Sequence, residues 1–200
     1  MTRNPERIQT VPLPSLGNVQ GIWQTRASMA KPDPFDAVRM LFHFTDRGNL
    51  PSIREHGLYS LAKLRKKGIK IAAPGGNELS HNLDEAGGLD KYVHLCFRSN
   101  HPMEFVARQD KRITDSIFLQ IHPEVLYYDG VLFTDDVSNK AGVQTHSIEE
   151  ARKFIDFEVL FTRTNWSDPA VKRRLDQAEK CEVLVPKHIP LDLIRNIPNG

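Results

Sequence analysis

One carboxylate, Glu182, stands in a short apolar run with the two-residue period of a β-strand. Cys181, Val183 and Val185 alternate with Glu182 and Leu184, so the glutamate leaves the predicted strand on the face opposite Val183. The helix predicted just before this strand carries three consecutive cations, Lys172, Arg173 and Arg174. A carboxylate at a strand edge beside a cationic helix is suited to chemistry on an anionic molecule. The alternative is a structural glutamate paired with a nearby lysine.

The helix before Glu182 has a clear start signal. Asp168 is a good N-cap acceptor, and the fixed φ of Pro169 suits the first helical position. Val171, Leu175 and Ala178 then recur at roughly helical spacing. The sequence therefore predicts a turn, a basic helix and a short strand in succession within residues 161–186.

A second pair of polar groups lies on an earlier strand. Residues 37–45, AVRMLFHFT, predict a buried strand on which His43 and Thr45 share one face. A helix is predicted to follow at once, with Asn49 as its N-cap and Gly57 as its stop. His43 is either a ligand anchor or a core histidine whose nitrogens bond the backbone.

Several common kinds of site are not supported by the sequence. The other histidines show neither HExxH nor CxxC spacing with a partner, so we expect no metal. No GxSxG elbow is present, and neither a GxGxxG nor a P-loop sequence follows a strand. Cys96 and Cys181 lie in apolar runs, which favours buried free thiols, although a nucleophilic Cys–His pair stays open.

The composition is that of an ordinary globular domain, with 200 residues of which 40% are hydrophobic and 26% charged. The net charge of +2 is too small to identify a nucleic-acid binder by itself. Lysine and arginine concentrate in residues 61–70, 107–112 and 171–174, for which solvated helix faces are the ordinary explanation. Neither a signal peptide nor a membrane-spanning run is present, so we expect a cytoplasmic protein without membrane association.

Short strands and short helices alternate along the chain. The predicted strands include residues 91–97, 116–122 and 130–136. The predicted helices include residues 60–67, 101–109 and 147–154, whereas 156–161 fits either state. Because long regular crossovers are absent, the predicted fold class is α+β in a single domain. Residues 1–36, rich in proline, are predicted to be an irregular N-terminal extension, and residues 37–200 the domain.

Four segments occur in an order that is typical of one family. They are HFTDRGNLPSIREHGL (43–58), GGNELS with GLDKYVHLCF and HPM (75–103), VLFTDD (131–136) and FTRTNWSDP with KCEVLVP (161–186). Together they resemble the DarT family of DNA ADP-ribosyltransferase toxins, and the similarity covers residues 38–197.

The resemblance implies an ADP-ribosyltransferase-like fold with a split antiparallel or mixed β core and short flanking helices. It implies transfer of ADP-ribose from NAD⁺ to a nucleobase, thymidine or guanosine, in single-stranded DNA, with release of nicotinamide. It also implies a prokaryotic toxin whose partner is a macrodomain antitoxin that reverses the modification.

The resemblance also assigns residues. Glu182 matches the catalytic glutamate, which would stabilise an oxocarbenium-like centre and accept the proton of the attacking base nitrogen. The implied NAD⁺ site comprises His43, Phe44, Thr45, Asn49, Leu50 and Tyr92. The implied DNA contacts are Trp166, Lys172, Arg173 and Arg174.

The chain departs from the family pattern at one position. The family that it resembles uses an arginine between the glycine-rich loop and the YVHL-type strand to help stabilise the transition state, but residues 74–91 contain none. Arg65, Lys91 and Arg98 are candidates to replace it, and Arg98, just after a strand end, is the best placed and is the second predicted catalytic residue. Two alternatives to the enzyme acting on DNA stay open: a catalytically silent nucleic-acid-binding module on the same fold, and a transferase whose acceptor is RNA or protein.

Overall fold

The computed structural model describes residues 32–75 and 87–198. The predicted extension, residues 1–36, lies almost wholly outside these ranges. The strands are β1 (Leu41–Asp46), β2 (Leu58–Tyr59), β3 (Tyr92–Cys96), β4 (Ser116–Ile121), β5 (Leu132–Thr134), β6 (Thr145–His146), β7 (Glu182–Pro186), β8 (His188–Ile189) and β9 (Ile194–Arg195). The helices are α1 (Leu50–His56), α2 (Leu61–Lys67), α3 (Pro102–Gln109), α4 (Ile148–Phe154), α5 (Phe157–Phe161) and α6 (Pro169–Ala178).

The centre of the described part is a seven-stranded sheet in the order β6-β5-β7-β3-β1-β4-β9, and β2 pairs separately with β8. Every strand pair in these residues is antiparallel. Along the chain, short helices lie between many of the strands. The predicted α+β class is therefore confirmed, and of the antiparallel and mixed alternatives the sheet is antiparallel.

The sheet is split between β1 and β3. β1 pairs with β4 along its whole length, and β3 pairs with β7 along its whole length. Between β1 and β3, however, the register holds only at Phe42 and Cys96. The two ladders therefore diverge beyond this point, as expected for a split core, and the divergence leaves room within the sheet itself.

The helix ends follow local signals in the sequence. Gly57 ends α1 with a positive φ of 72°. The Asp168 side chain accepts the Ala170 N–H at the start of α6. Within residues 156–161, which fit either state by sequence, Phe157–Phe161 form helix α5, and Asp156 caps it by accepting the Val159 N–H.

The buried core begins before residue 37. Phe35 is 2% exposed, although it falls within the predicted extension. Its ring centroid lies 5.2 Å from that of Phe133 and 4.8 Å from that of Phe157. The compact unit accordingly starts at Pro34, where a 3-10 helix spans Pro34–Ala37. The strand predicted over residues 37–45 begins only at Leu41.

Asp46 joins the end of β1 to the segment before β4. Its carboxylate accepts the N–H groups of Gly48, Thr114 and Asp115 at 2.8, 2.8 and 3.0 Å. The hydrogen bonds from Asp115 and Gly48 lower the pKa of Asp46, although burial acts in the opposite direction. The ionised carboxylate is thus part of the connection that fixes β1 beside β4.

We expect Asp46→Asn to lower the free energy of unfolding by about 2 kcal/mol at neutral pH. The asparagine side chain lacks the negative charge, and its NH₂ group would face backbone N–H groups that also donate. Because folding depresses this pKa, the stabilisation is present above the ordinary aspartate value of about 3.9 and is lost as the pH falls through the folded value. Urea unfolding across this pH range measures the effect. The exposed Asp129→Asn is the control; an equal loss in both variants would contradict a specific role for Asp46.

None of the helices within residues 32–75 and 87–198 is both long and apolar enough to cross a bilayer.

Candidate functional site

A cavity of about 210 Å³ lies where β1 and β3 diverge. His43 and Phe44 both line it, although adjacent residues of a strand point to opposite faces. His94 and Leu95 of β3 likewise both line it. A cavity can contact both faces of two strands only where the sheet is open, so this site is a consequence of the split.

Glu182 projects into this cavity from the first residue of β7. The strand is not at the sheet edge, because Cys96 of β3 and Thr134 of β5 pair with Glu182 on either side. The Glu182 N–H donates to the Thr134 hydroxyl at 3.2 Å. The side chain is 7% exposed, so its carboxylate is a buried charge that needs partners.

Two histidines and one backbone amide surround the Glu182 carboxylate. The Ser138 N–H donates to Oε1 at 3.2 Å. His94 Nδ1 lies 3.1 Å from Oε2, and His101 Nε2 lies 3.6 Å from Oε1. Burial raises the pKa of Glu182, but the hydrogen bond from His94, the nearby His94 and His101 rings and the Ser138 N–H outweigh it, so the pKa is lowered. The carboxylate is therefore ionised inside the cavity.

His43 faces Glu182's cavity from the opposite ladder. Its Nδ1 donates to the His94 carbonyl at 2.9 Å, since a carbonyl can only accept. Burial lowers the pKa of His43, partly offset by that hydrogen bond, so the ring is neutral. Both sequence interpretations of His43 hold in part: one nitrogen bonds the backbone, and the ring lines the cavity.

Thr45 and Asn49 line the cavity, but their polar groups bond each other and a loop. Asn49 Nδ2 donates to Thr45 Oγ1 at 3.0 Å and to the Ala73 carbonyl at 2.7 Å, and the Ala73 N–H donates to Asn49 Oδ1 at 3.0 Å. Asn49 occupies the N-cap position of α1 without a side-chain cap bond. The prediction that its side chain caps the helix was therefore wrong. The Asn49 amide instead bonds the N–H and the carbonyl of Ala73, and so holds the loop around Ala73 against the cavity.

The remaining residues of the predicted NAD⁺ site divide between the cavity and the core. Phe44 and Tyr92 line the cavity. Leu50 does not line it, because its side chain is 4% exposed within the hydrophobic core. The prediction that Leu50 lies at the ligand site thus disagrees with the structure: the first turn of α1 buries this residue. The thiol of Cys96 also lines the cavity, and burial raises its pKa well above the ordinary value, so it is unreactive.

Arg98, predicted as the second catalytic residue, does not line the cavity. Its Nε lies 3.5 Å from Oε1 of Glu179, and its guanidinium lies 5.2 Å from the ring centre of Trp166. Trp166 is 55% exposed. Among the described residues, neither an arginine nor a lysine lines the cavity. The basic side chains that line the cavity with Glu182 are the histidines His43, His94 and His101.

The three cations of α6 are not equivalent. Lys172 and Arg173 are exposed. Arg174 donates to Asp156 at 2.6 and 2.9 Å and to Glu158 at 2.7 Å. This ion pair joins α6 to the start of α5, so Arg174 has a structural role that its sequence context does not reveal.

Sequence reasoning missed His94, His101 and Ser138 as partners of Glu182. The strand period places His94 on the same face as Cys96, but only the register of β3 against β7 places it diagonal to Glu182. His101 and Ser138 reach the carboxylate from a helix N-cap and a loop. The hydrogen bonds to Glu182 from Ser138 and from His94 join residues that are 44 and 88 positions apart in the sequence. No local sequence pattern encodes contacts at such separations.

No group of three or more histidine, cysteine or carboxylate side chains in the described ranges is arranged to hold a metal ion.

The model of one protein family, described as ssDNA thymidine ADP-ribosyltransferase, DarT, matches residues 42–198. No curated protein sequence matches the chain. Solved structures of DarT proteins share the fold. Thermosipho africanus DarTG in complex with ADP-ribose is 21% identical with a TM-score of 0.60, over 78% of this chain and 42% of that one. The chain therefore spans less than half of the Thermosipho protein.

Two more are structures of the Thermus sp. 2.9 DarT. Its complex with ADP-ribosylated ssDNA is 18% identical with a TM-score of 0.58, over 78% of this chain and 79% of that one. Its complex with NAD⁺ is 19% identical with a TM-score of 0.54, over 82% and 81%.

Proposed function

The chain belongs to the DarT family of ssDNA thymidine ADP-ribosyltransferases, and from this premise we propose that it transfers ADP-ribose from NAD⁺ to thymidine bases of single-stranded DNA. The observation that carries the proposal is the buried, ionised Glu182 in a cavity that His43 and Tyr92 also line. The Thermus DarT structures contain NAD⁺ in one case and ADP-ribosylated ssDNA in another, which supports both substrates.

In the proposed reaction the bond between nicotinamide and the ribose C1″ breaks, and the sugar develops positive charge. The Glu182 carboxylate would stabilise that charge from within a buried, preorganised site. A base nitrogen then bonds to C1″, and its proton passes to Glu182, which releases it to water. Nicotinamide leaves with the electron pair of the broken bond, so atoms and charge balance.

The cavity suits one half of the dinucleotide. Its volume of about 210 Å³ is below the ~300–1,000 Å³ of typical ligand pockets. We assign the nicotinamide ribose to the enclosed part beside Glu182, with the neutral His43 Nε2 as an acceptor for a hydroxyl group. The mixed aromatic and aliphatic wall, which includes Phe44 and Tyr92, provides stacking surface for planar groups.

The DNA strand is proposed to follow the surface formed by Arg98, Trp166, Lys172 and Arg173. Trp166 is exposed and can stack on an unpaired base, for about 1–3 kcal/mol. Lys172 and Arg173 are placed to neutralise phosphates. Acting on single strands avoids the unstacking cost that a duplex would impose. Arg98, predicted as catalytic, is reassigned to this surface because of its contact with Trp166.

We expect the double variant Lys172→Gln, Arg173→Gln to weaken oligonucleotide binding. The slope of log Kobs against the logarithm of the salt concentration should become less steep by about 1.4, because each phosphate contact on a single strand contributes about 0.7. Fluorescence anisotropy over a salt series measures this slope. Arg174→Gln is the matched control, because its guanidinium is already bonded to Asp156 and Glu158. If Arg174→Gln changed the slope equally, the change could not be assigned to phosphate contacts of Lys172 and Arg173, and the proposal that the DNA contacts α6 would be wrong.

Intact-mass analysis of short oligonucleotides after incubation with protein and NAD⁺ tests the proposed reaction. Oligonucleotides that differ only by replacement of each thymidine are compared, together with RNA of the same sequence and bulk protein. The expected result is a mass increase of one ADP-ribose that requires thymidine. A mass increase that follows guanosine, or that occurs only on RNA or protein, would overturn the proposed acceptor.

A second candidate is a silent nucleic-acid-binding module. It is favoured by one observation: in residues 32–75 and 87–198, no arginine or lysine lines the cavity to replace the arginine of the family pattern. Oligonucleotide binding without any mass increase, unaffected by Glu182→Gln, would support it over the transferase.

We propose that the activity makes the protein a toxin in a prokaryotic cytoplasm, with a macrodomain antitoxin as partner. The name DarTG of the Thermosipho relative is consistent with a two-part system. Growth arrest on induced expression, relieved by Glu182→Gln or by co-expression of a macrodomain that removes the modification, is the expected result. Unimpaired growth with modified DNA would contradict the toxin role while leaving the enzyme intact.

A further inference from the structure

We propose that His94 is a positioning residue that stays protonated as an imidazolium and donates a hydrogen bond from Nδ1 to the Glu182 carboxylate. His94 thereby supplies the positive charge that the chain lacks at the arginine position of its family. The catalytic part of this inference rests on the proposed function. The protonation of the pair can be tested without any substrate.

The first step concerns His94 Nε2. This nitrogen lies 3.2 Å from the Leu89 carbonyl oxygen. A carbonyl oxygen has no hydrogen to donate, so a hydrogen bond at this distance requires that Nε2 carries one. One of the two imidazole nitrogens is thus committed as a donor to the backbone.

The second step concerns the other nitrogen. His94 Nδ1 lies 3.1 Å from Glu182 Oε2 and 2.9 Å from Ser138 Oγ. If Nδ1 and the carboxylate both lacked a hydrogen, two lone pairs would face each other in a buried site. The Ser138 hydroxyl could donate to an unprotonated Nδ1, but that nitrogen would then still face the unprotonated Oε2. A proton between Nδ1 and Oε2, on the imidazole or on the carboxyl group, accounts for both contacts.

The third step places that proton on His94. The Ser138 N–H already donates to Oε1, and donors to a carboxylate favour its ionised form. His101 Nδ1 accepts the Met103 N–H at 3.4 Å, so its hydrogen is on Nε2, which faces Oε1 at 3.6 Å. In agreement, the pKa of Glu182 is lowered in spite of burial.

The other titratable groups around the pair do not compete for this role. Burial lowers the pKa of His101, partly offset by Glu182, and burial lowers that of His43, so both rings are neutral. Burial and the Glu182 charge raise the pKa of Cys96, which stays a thiol. Of the histidine, cysteine and carboxylate side chains that β1, β3, β7 and the start of α3 place at the cavity, the charged ones are therefore His94 and Glu182.

The pair has a consequence for the reaction. With the imidazolium donating to Oε2, the carboxylate is oriented and ionised when positive charge develops on the ribose. Glu182 can still accept the proton of the base nitrogen, because the shared proton stays on His94. As the pH rises and the imidazolium loses its proton, Oε2 loses its donor and the rate falls.

Nitrogen-15 spectra of histidine-labelled protein without NAD⁺ test the protonation directly. The expected result is that both His94 nitrogens are protonated one pH unit above the ordinary histidine pKa of about 6.5, and that Glu182→Gln converts the ring to the neutral Nε2–H form. The His94→Asn spectrum assigns the signals. A neutral His94 ring in the unmodified protein at that pH would overturn the proposal, whatever the enzyme's activity.

The kinetic arm separates positioning from folding. We expect His94→Ala to lower kcat by about 100-fold with little change in the KM for NAD⁺, and to abolish the alkaline fall of the pH–rate profile. His94→Asn retains a donor near the Nδ1 position, so it should recover part of kcat without restoring the alkaline fall. His122→Asn, outside the cavity, is the control. An unchanged pH profile in His94→Asn would overturn the role even if His94→Ala fails to fold.

Discussion

Glu182→Gln is expected to lower the rate of ADP-ribose transfer by about 10³-fold while leaving NAD⁺ binding nearly unchanged. Glutamine keeps the volume of the side chain and an acceptor for the Ser138 N–H. It removes the negative charge that stabilises the developing oxocarbenium ion and the group that accepts the base proton. Because these interactions matter mainly in the transition state, the loss should fall on kcat rather than on substrate affinity.

Single-turnover rates with a thymidine-containing oligonucleotide, together with calorimetric NAD⁺ binding, measure the two effects separately. Glu55→Gln is the matched control, since the Glu55 side chain is 74% exposed on α1. Transfer at an undiminished rate in Glu182→Gln would mean that another residue meets the charge on the ribose. A loss of NAD⁺ binding comparable to the loss of rate would instead assign Glu182 to ground-state binding.

Gly57→Ala is expected to be the most destabilising of the substitutions considered, by about 4 kcal/mol. Gly57 ends α1 with φ 72° and ψ −162°, a region that is strained for any residue with a Cβ. An added Cβ would also lie 2.4 Å from the Ile189 carbonyl oxygen and 3.0 Å from His188 Nε2. Neither strand β8 nor the backbone of α1 can move without disturbing the pairing of β2 with β8.

Thermal unfolding should show a fall in Tm of roughly 10 °C for Gly57→Ala. Gly68→Ala is the matched control, because Gly68 ends α2 at φ 65° with nothing within 4 Å of an added Cβ. That control carries the cost of left-handed backbone alone, about 1–2 kcal/mol. If both variants lost the same stability, the contact with Ile189 would contribute nothing and the expectation for Gly57 would be wrong.

Local signals in the sequence were sufficient for the elements that carry the site. The capped start of α6, the alternation through β7 and the glycine end of α1 depend on neighbouring residues, and the structure contains all three. The Ser147 and Glu150 capping box is likewise present at the start of α4. Each of these features is decided within one or two turns of chain, where propensity and capping act.

The partners of the reactive groups could not be predicted in the same way. Arg98 follows a strand end, as expected, but its side chain lies beside Glu179 at the end of α6 and not in the cavity. Asn49 has the sequence context of an N-cap, yet a loop 24 residues away competes successfully for its amide. His94 and His101 showed no spacing signal because strand register and a helix start bring them together. Tertiary contacts of this kind decide the chemistry of a site after local structure is already fixed.

The narrow junction between β1 and β3 links ligand affinity to conformational stability. The ladder formed by β1 and β4 and the ladder formed by β3 and β7 meet in register only at Phe42 and Cys96. Separating them there breaks few backbone hydrogen bonds, so we expect this junction to open at lower free energy than either ladder. A molecule that contacts both ladders bridges the weakest join in the sheet. Part of its binding free energy must then appear as resistance of the whole domain to unfolding.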